Sequence, residues 1–184
     1  MGSQKADLRF AENESFLQHL IRVYQKAGIQ KIIVVLHPAI ELNFLKGEIK
    51  DITWLTNLFP EFGKMYSLKM GLAQNRNADF CFLQNIDNPF TSIRLIKQLV
   101  EARTKADYAV PIFNGEGGHP ILLSSVIIKH ILQIEGNDRK LNEVLTTFNR
   151  INVETGDRRI LVNINTPSDY AKFFIKDEAA PVEM

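Results

Sequence analysis

The chain has 184 residues, 45% of them hydrophobic and 23% charged, the profile of one soluble globular domain able to bury a full core. Its 22 Lys and Arg nearly balance 21 Asp and Glu, so no global field gathers polyanions and nucleic acid is not an expected partner. No apolar segment approaches the roughly 20 residues of a membrane span, no charged-then-apolar leader opens the chain, and the single cysteine, Cys81, sits in the apolar run "DFCFL". These features fit a buried, inert thiol and predict a cytoplasmic protein with no membrane partner.

From Ser15 to Ala27, Phe16, Leu17, Leu20, Ile21, Val23 and Tyr24 recur at helical spacing behind a Ser N-cap, and Gly28 ends the helix. "KIIVVL" (Lys31 to Leu36) is a continuous apolar run, the mark of a strand covered on both faces. "DITWL" (Asp51 to Leu55) and "DFCFLQNI" (Asp79 to Ile86) read as further strands, separated by a helix over Lys64 to Arg76 and followed by another from about Ser92 to Arg103. "DYAVPIF" (Asp107 to Phe113) is a strand, "NGEGGHP" is irregular, and "ILLSSVIIKHILQI" reads as a strand running into a helix. Leu141 to Phe148 predicts a helix, "INVE" and "ILVNI" predict late strands, and Thr166 to Ile175 predicts a closing helix with Pro at an early position. This alternation implies one α/β domain over residues 1–176, with a mostly parallel sheet, helices on both faces and a loose tail over 177–184.

Open parallel sheets bind ligands beyond the carboxyl ends of their strands. Asp87 stands there, after "CFLQNI" and before Pro89, and serves either as an oxygen ligand for Mg²⁺ or as the shaper of a turn. In "GEGGHP" (Gly115 to Pro120) the glycines let backbone approach a ligand and His119 offers a polar edge; a glycine-rich surface loop is the alternative. "VNINTPSDY" (Val162 to Tyr170) is another strand end with two amides, and it also suffices as a plain helix cap. The P-loop pattern, G-x-G-x-x-G, C-x-x-C and G-x-S-x-G are all absent, and the four histidines lack paired metal-ligand spacing.

Taken in order, "MGSQK", "GKMYSLKMGL", "NIDNP", "GGHP" and "NINTPSDY" resemble the molybdenum-cofactor nucleotidyltransferases, close to the branch that loads CTP onto molybdopterin. The resemblance runs from Met1 to about Phe174 and implies a nucleotidyltransferase fold of the glycosyltransferase-A-like kind. It further implies Mg²⁺-dependent transfer of a nucleoside monophosphate to a phosphorylated acceptor, molybdopterin or another small phosphorylated metabolite, with release of pyrophosphate. A molybdoenzyme client is the implied protein partner. Asp87 is then the leading metal ligand and Lys5 reaches the phosphates. Ser67 and Gly71 match a segment beginning a helix near the nucleotide. Gly118, His119 and Pro120 match a loop shaping the base or pterin pocket, and their G-H-P favours CTP over GTP.

Two departures from the family pattern stand out. Met1, Gly2 and Lys5 fit the last part of a signature of the form L-A-A-G-x-S-x-R-M-G-x-x-K, so the first strand and glycine-rich turn, on the order of fifteen residues, are expected to be missing. Two strands would then lose a neighbour and the phosphates part of their cradle. The late motif, usually D-I-D-T-P, here reads Asn163, Ile164, Asn165, Thr166, Pro167. Asn165 gives a metal an oxygen but no charge. The competing expectation is a catalytically degenerate homologue that binds nucleotide weakly or serves as a partner or chaperone.

Overall fold

Ser15 ends a short hairpin and starts a helix. In the computed structural model, which describes residues 7–40 and 51–175, β1 (Arg9–Ala11) pairs antiparallel with β2 (Glu14–Ser15), and α1 (Phe16–Lys26) follows directly. Ser15 Oγ accepts the Gln18 N–H while the Gln18 side chain accepts the Ser15 N–H, so two otherwise orphaned donors are satisfied together. Gly28, with φ of +87°, turns the chain out of the helix.

β3 (Ile32–Leu36) and β4 (Ile52–Thr56) form a parallel pair in register from Ile32↔Ile52 to Leu36↔Thr56. After a 3-10 turn at Pro60–Phe62 comes α2 (Gly63–Ala73), then β5 (Phe80–Leu83), α3 (Ile93–Ala102) and β6 (Tyr108–Phe113). β7 (Glu116–Gly117) returns against the end of β6, β8 (Ile121–Ser124) runs into α4 (Ser125–Gln133), and α5 (Leu141–Leu145), β9 (Arg150–Glu154) and α6 (Pro167–Phe174) complete the order.

The five-stranded sheet is mixed. β8 lies between β5 and β6 and is antiparallel to both, whereas β9 pairs parallel with the far edge of β6. Alternation along the strands shows that helices cover both faces. On β8, Leu122 packs with Leu95, Leu99 and Ala102 of α3, while Leu123 packs with Met65 and Leu72 of α2 and Ile127, Ile128 and Ile131 of α4. On β3, Val34 and Leu36 meet Leu17 and Ile21 of α1, and the opposite face presents Ile33 and Val35 to Gly71 of α2.

Among the described residues, β3 pairs only with β4 and β5 only with β8. The β3–β4 sheet and the five-stranded sheet meet through α1, whose Val23 and Tyr24 share one apolar cluster with Ile32 of β3 and Phe82 of β5. Tyr24 also donates its hydroxyl hydrogen to Gln84 Oε1 at 3.2 Å.

Two readings of the sequence are corrected. "ILVNI" is not a strand: residues Arg158–Leu161 form a 3-10 turn and the chain then runs irregularly to α6. The helix expected from Leu141 to Phe148 stops at Leu145, where Thr146 caps it in a tight turn. The tail 177–184 lies outside the described residues.

Candidate active site

The antiparallel register Leu83↔Ile121 brings the residues just before β8 to the carboxyl end of β5. Asp87 and the Gly118–Pro120 turn, distant in sequence, therefore meet. The segment after β5 is held by Gln84, whose amide nitrogen donates to the carbonyls of Asn85 (2.9 Å) and Asn88 (2.8 Å). Its amide oxygen accepts from the Thr91 hydroxyl at 2.7 Å. Asp87 is half-buried, and its carbonyl accepts the Ile164 N–H at 2.7 Å. Asn165, exposed and next in the chain, is thereby carried alongside Asp87, its own N–H donating to Asp169 at the start of α6.

His119 sits between these pieces. Its N–H donates to the Ile160 carbonyl at 3.1 Å, and Nε2 lies 3.4 Å from Asn85 Nδ2. Burial pulls the imidazole below its ordinary pKa, the Asp87 carboxylate partly restores it, and Lys64 depresses it further. The ring is neutral at physiological pH. An Asn85 hydrogen bond to Nε2 requires the tautomer protonated on Nδ1, an atom buried without a hydrogen-bond partner. Gly118 is required by close approach: a Cβ there would lie 2.5 Å from the Ile160 carbonyl oxygen. Pro120, buried behind it, leads into β8.

Ser67 and Gly71 lie on α2, one turn apart. Ser67 Oγ accepts from Asn57 Nδ2 at 2.9 Å, and Asn57 Oδ1 accepts the Phe59 N–H at 2.8 Å, fixing the turn that follows β4. Gly71 faces Val35 and Ile33, so here it permits helix-on-strand packing. Gly2 and Lys5 lie outside the described residues. Three residues that the sequence reading passed over belong to the site: Asn85, Asn88 and Lys64. Asn85 and Asn88 flank Asp87 in "NIDNP", and that adjacency was the available signal; Lys64 lies in the quoted "GKMYSLKMGL", where only Ser67 and Gly71 were singled out.

Among the described residues, no three Asp, Glu, His or Cys side chains converge in a way that could hold a metal ion. The donor set on offer is the Asp87 carboxylate and the Asn165 amide oxygen, hard oxygens that fit Mg²⁺ when waters and phosphate oxygens supply the remaining ligands. Among the described residues, no helix is long and apolar enough to cross a membrane.

The Asp87 turn, the Asn165 segment and the His119 loop thus gather at the carboxyl end of β5 in a mixed α/β fold. The chain belongs to the MobA-like NTP transferase domain family, whose model matches residues 1–153. Over 140 residues it is 27% identical to the molybdenum cofactor cytidylyltransferase of Escherichia coli, covering 76% of this chain and 71% of that one. Among solved structures it is similar to Rv0371c from Mycobacterium tuberculosis (TM-score 0.71, 16% identity, 94% and 90% of the two chains), a protein also crystallised as a manganese complex. It is likewise similar to 2-C-methyl-D-erythritol 4-phosphate cytidylyltransferase from Thermus thermophilus (TM-score 0.66, 14% identity, 92% of each chain). These two structural likenesses show the fold.

Proposed function

We propose that the chain transfers a nucleoside monophosphate, CMP from CTP rather than GMP from GTP, to a terminal phosphate of molybdopterin or a similar small phosphorylated acceptor, in the cytoplasm. The observation that carries this reading is the meeting of Asp87, the Asn165 segment and His119 at the carboxyl end of β5. An acceptor phosphate oxygen attacks the α-phosphorus in line, the bond to the β-phosphate oxygen breaks, and pyrophosphate leaves. Such chemistry asks the protein mainly for positioning and charge.

Asp87 and Asn165 would hold Mg²⁺, which when bound neutralises charge shared by the α-phosphate and the attacking oxygen. His119 and Pro120 would shape the base or pterin pocket on the family pattern, and Gly118 lets their turn close against the Ile160 carbonyl. Lys64 supplies positive charge on the same side. Gly2 and Lys5 are assigned to the phosphates, and Ser67 and Gly71 to the helix beside the nucleotide, on the family pattern. A molybdoenzyme receiving the product is the partner this reading calls for.

The test is pyrophosphate release from CTP and molybdopterin in the presence of Mg²⁺. Release that disappears without Mg²⁺ and in Asp87→Ala supports the enzyme. A second reading has its own observation: amides at Asn163 and Asn165 where the family pattern carries carboxylates. Nucleotide binding without turnover, with molybdopterin or any other phosphorylated acceptor, would favour that degenerate, partner-like role.

A further inference from the structure

We propose that Asn88 is a positioning residue: its carboxamide clasps residues 160–164 against the Asp87 turn and so sets Asn165 and His119 relative to Asp87. The inference rests on the nucleotidyl-transfer reading for its consequence and on geometry for its content.

Asn88 is completely buried. Its Nδ2 donates to two backbone carbonyls, Ile160 at 2.9 Å and Val162 at 2.7 Å. Both partners are acceptors only, so the amide orientation is fixed by chemistry. Its Oδ1 has no hydrogen-bond partner, a cost that a buried amide bears only where its donor half is needed. The need is evident in the backbone. Residues 160–164 belong to no ladder, and an apolar run without strand partners has carbonyls that must be satisfied some other way.

The Ile160 carbonyl is where the parts of the site join. It accepts from Asn88 and from the His119 N–H, and Gly118 rests against it. Two residues beyond the second clasped carbonyl, the Ile164 N–H reaches back to the Asp87 carbonyl. One side chain adjacent to Asp87 thus determines where the His119 loop and the Asn165 amide sit. Supporting groups of this kind, which never touch the metal, typically change its affinity tenfold or more when removed.

Three forms of the full chain are compared: wild type, Asn88→Ala, and Val144→Ala as a control in the apolar cluster around α4 and α5. Asn88→Ser, which keeps one donor, replaces Asn88→Ala should the latter not fold. Mn²⁺ affinity in the presence of CTP, the Mg²⁺ concentration for half-maximal pyrophosphate release, and amide exchange at His119 and Ile164 in metal-free protein are measured. The expected result is a metal requirement raised about tenfold or more and lost protection at both amides in the Asn88 variant, with neither change in Val144→Ala at a similar loss of Tm. Wild-type metal affinity in a folded Asn88 variant, or an equal weakening in Val144→Ala, overturns the proposal. Should wild type bind no Mn²⁺ and release no pyrophosphate, the transfer reading fails separately. The clasp then stands or falls on amide exchange alone: selective loss of protection at His119 and Ile164 sustains it, and retention overturns it.

Discussion

Gly118 carries the sharpest steric demand in the site. A methyl group at that position would sit 2.5 Å from the Ile160 carbonyl oxygen and 2.8 Å from its carbon, both backbone atoms that cannot swing away. Gly118→Ala is expected to cost about 2 kcal/mol of stability, read as a lowered denaturant midpoint, and to disturb the imidazole that follows it. His19 carries a different demand. It is buried against the Phe10 ring, with centroids 3.5 Å apart, and burial lowers its pKa against the opposing pull of Glu14. His119 is lowered by burial as well. For both, the unfolded chain binds a proton that the folded chain does not, so the stability they contribute is complete above the ordinary imidazole value of about 6.5 and is lost as pH falls below it. Glu14, held low chiefly by its hydrogen bonds from Arg22, acts in the same direction at lower pH. Thermal scans between pH 8 and 5 are expected to show a falling Tm, and His19→Gln is expected to flatten part of that fall. An unchanged slope in the variant would remove His19 from the account. Burial also pushes the Cys81 thiol up to about 11, so it remains protonated and a poor nucleophile.

At the scale of elements, the turn after β4 depends on one amide. Asn57 is 3% exposed, donates to Ser67 and accepts from Phe59. Asn57→Ala leaves both partners without it and is expected to cost about 2 kcal/mol, with near-native ellipticity and a Tm several degrees lower as the measurable outcome. Most elements were legible because their local chemistry is complete within a few residues. α1 declares itself through the Ser15 N-cap and a stripe of six apolar residues, and α6 through Thr166, Pro167 and Asp169, where the plain cap expected is a reciprocal one between Thr166 and Asp169. The "ILVNI" run misled because a short apolar stretch has the same composition whether its carbonyls face a strand or a side chain. Here they face Asn88, 72 and 74 residues earlier, and no local pattern encodes that partner. The direction of β8 was likewise illegible: "ILLS" reads identically in either sense, although the strand and its following helix were both anticipated. Asp87 and His119 were recognised singly, whereas their proximity follows only from the antiparallel register.

Beyond the β1–β2 hairpin, the described residues form two sheets fastened by helices. β3 and β4 hold a two-stranded parallel ladder that, among the described residues, pairs with no third strand and is otherwise attached by side-chain packing on α1, α2, α3, Phe82 and Ile86. β6, by contrast, pairs with β7, β8 and β9. Amides of residues 32–36 and 52–56 are therefore expected to exchange through a smaller opening free energy than those of residues 108–113; equal protection in both sets would mean that the sheets open as one unit. The placement of β8 between β5 and β6 also has a consequence in time. β5 must wait for α3, β6 and β7 to pass before its neighbour exists, so the ladder that aligns Asp87 with His119 closes a long loop and belongs to the slow, non-local part of folding. A chain emerging from its N-terminus holds Asp87 ready while half of its site is still unmade, and any fragment ending before residue 121 retains the carboxylate without the β5–β8 register that brings His119 to it.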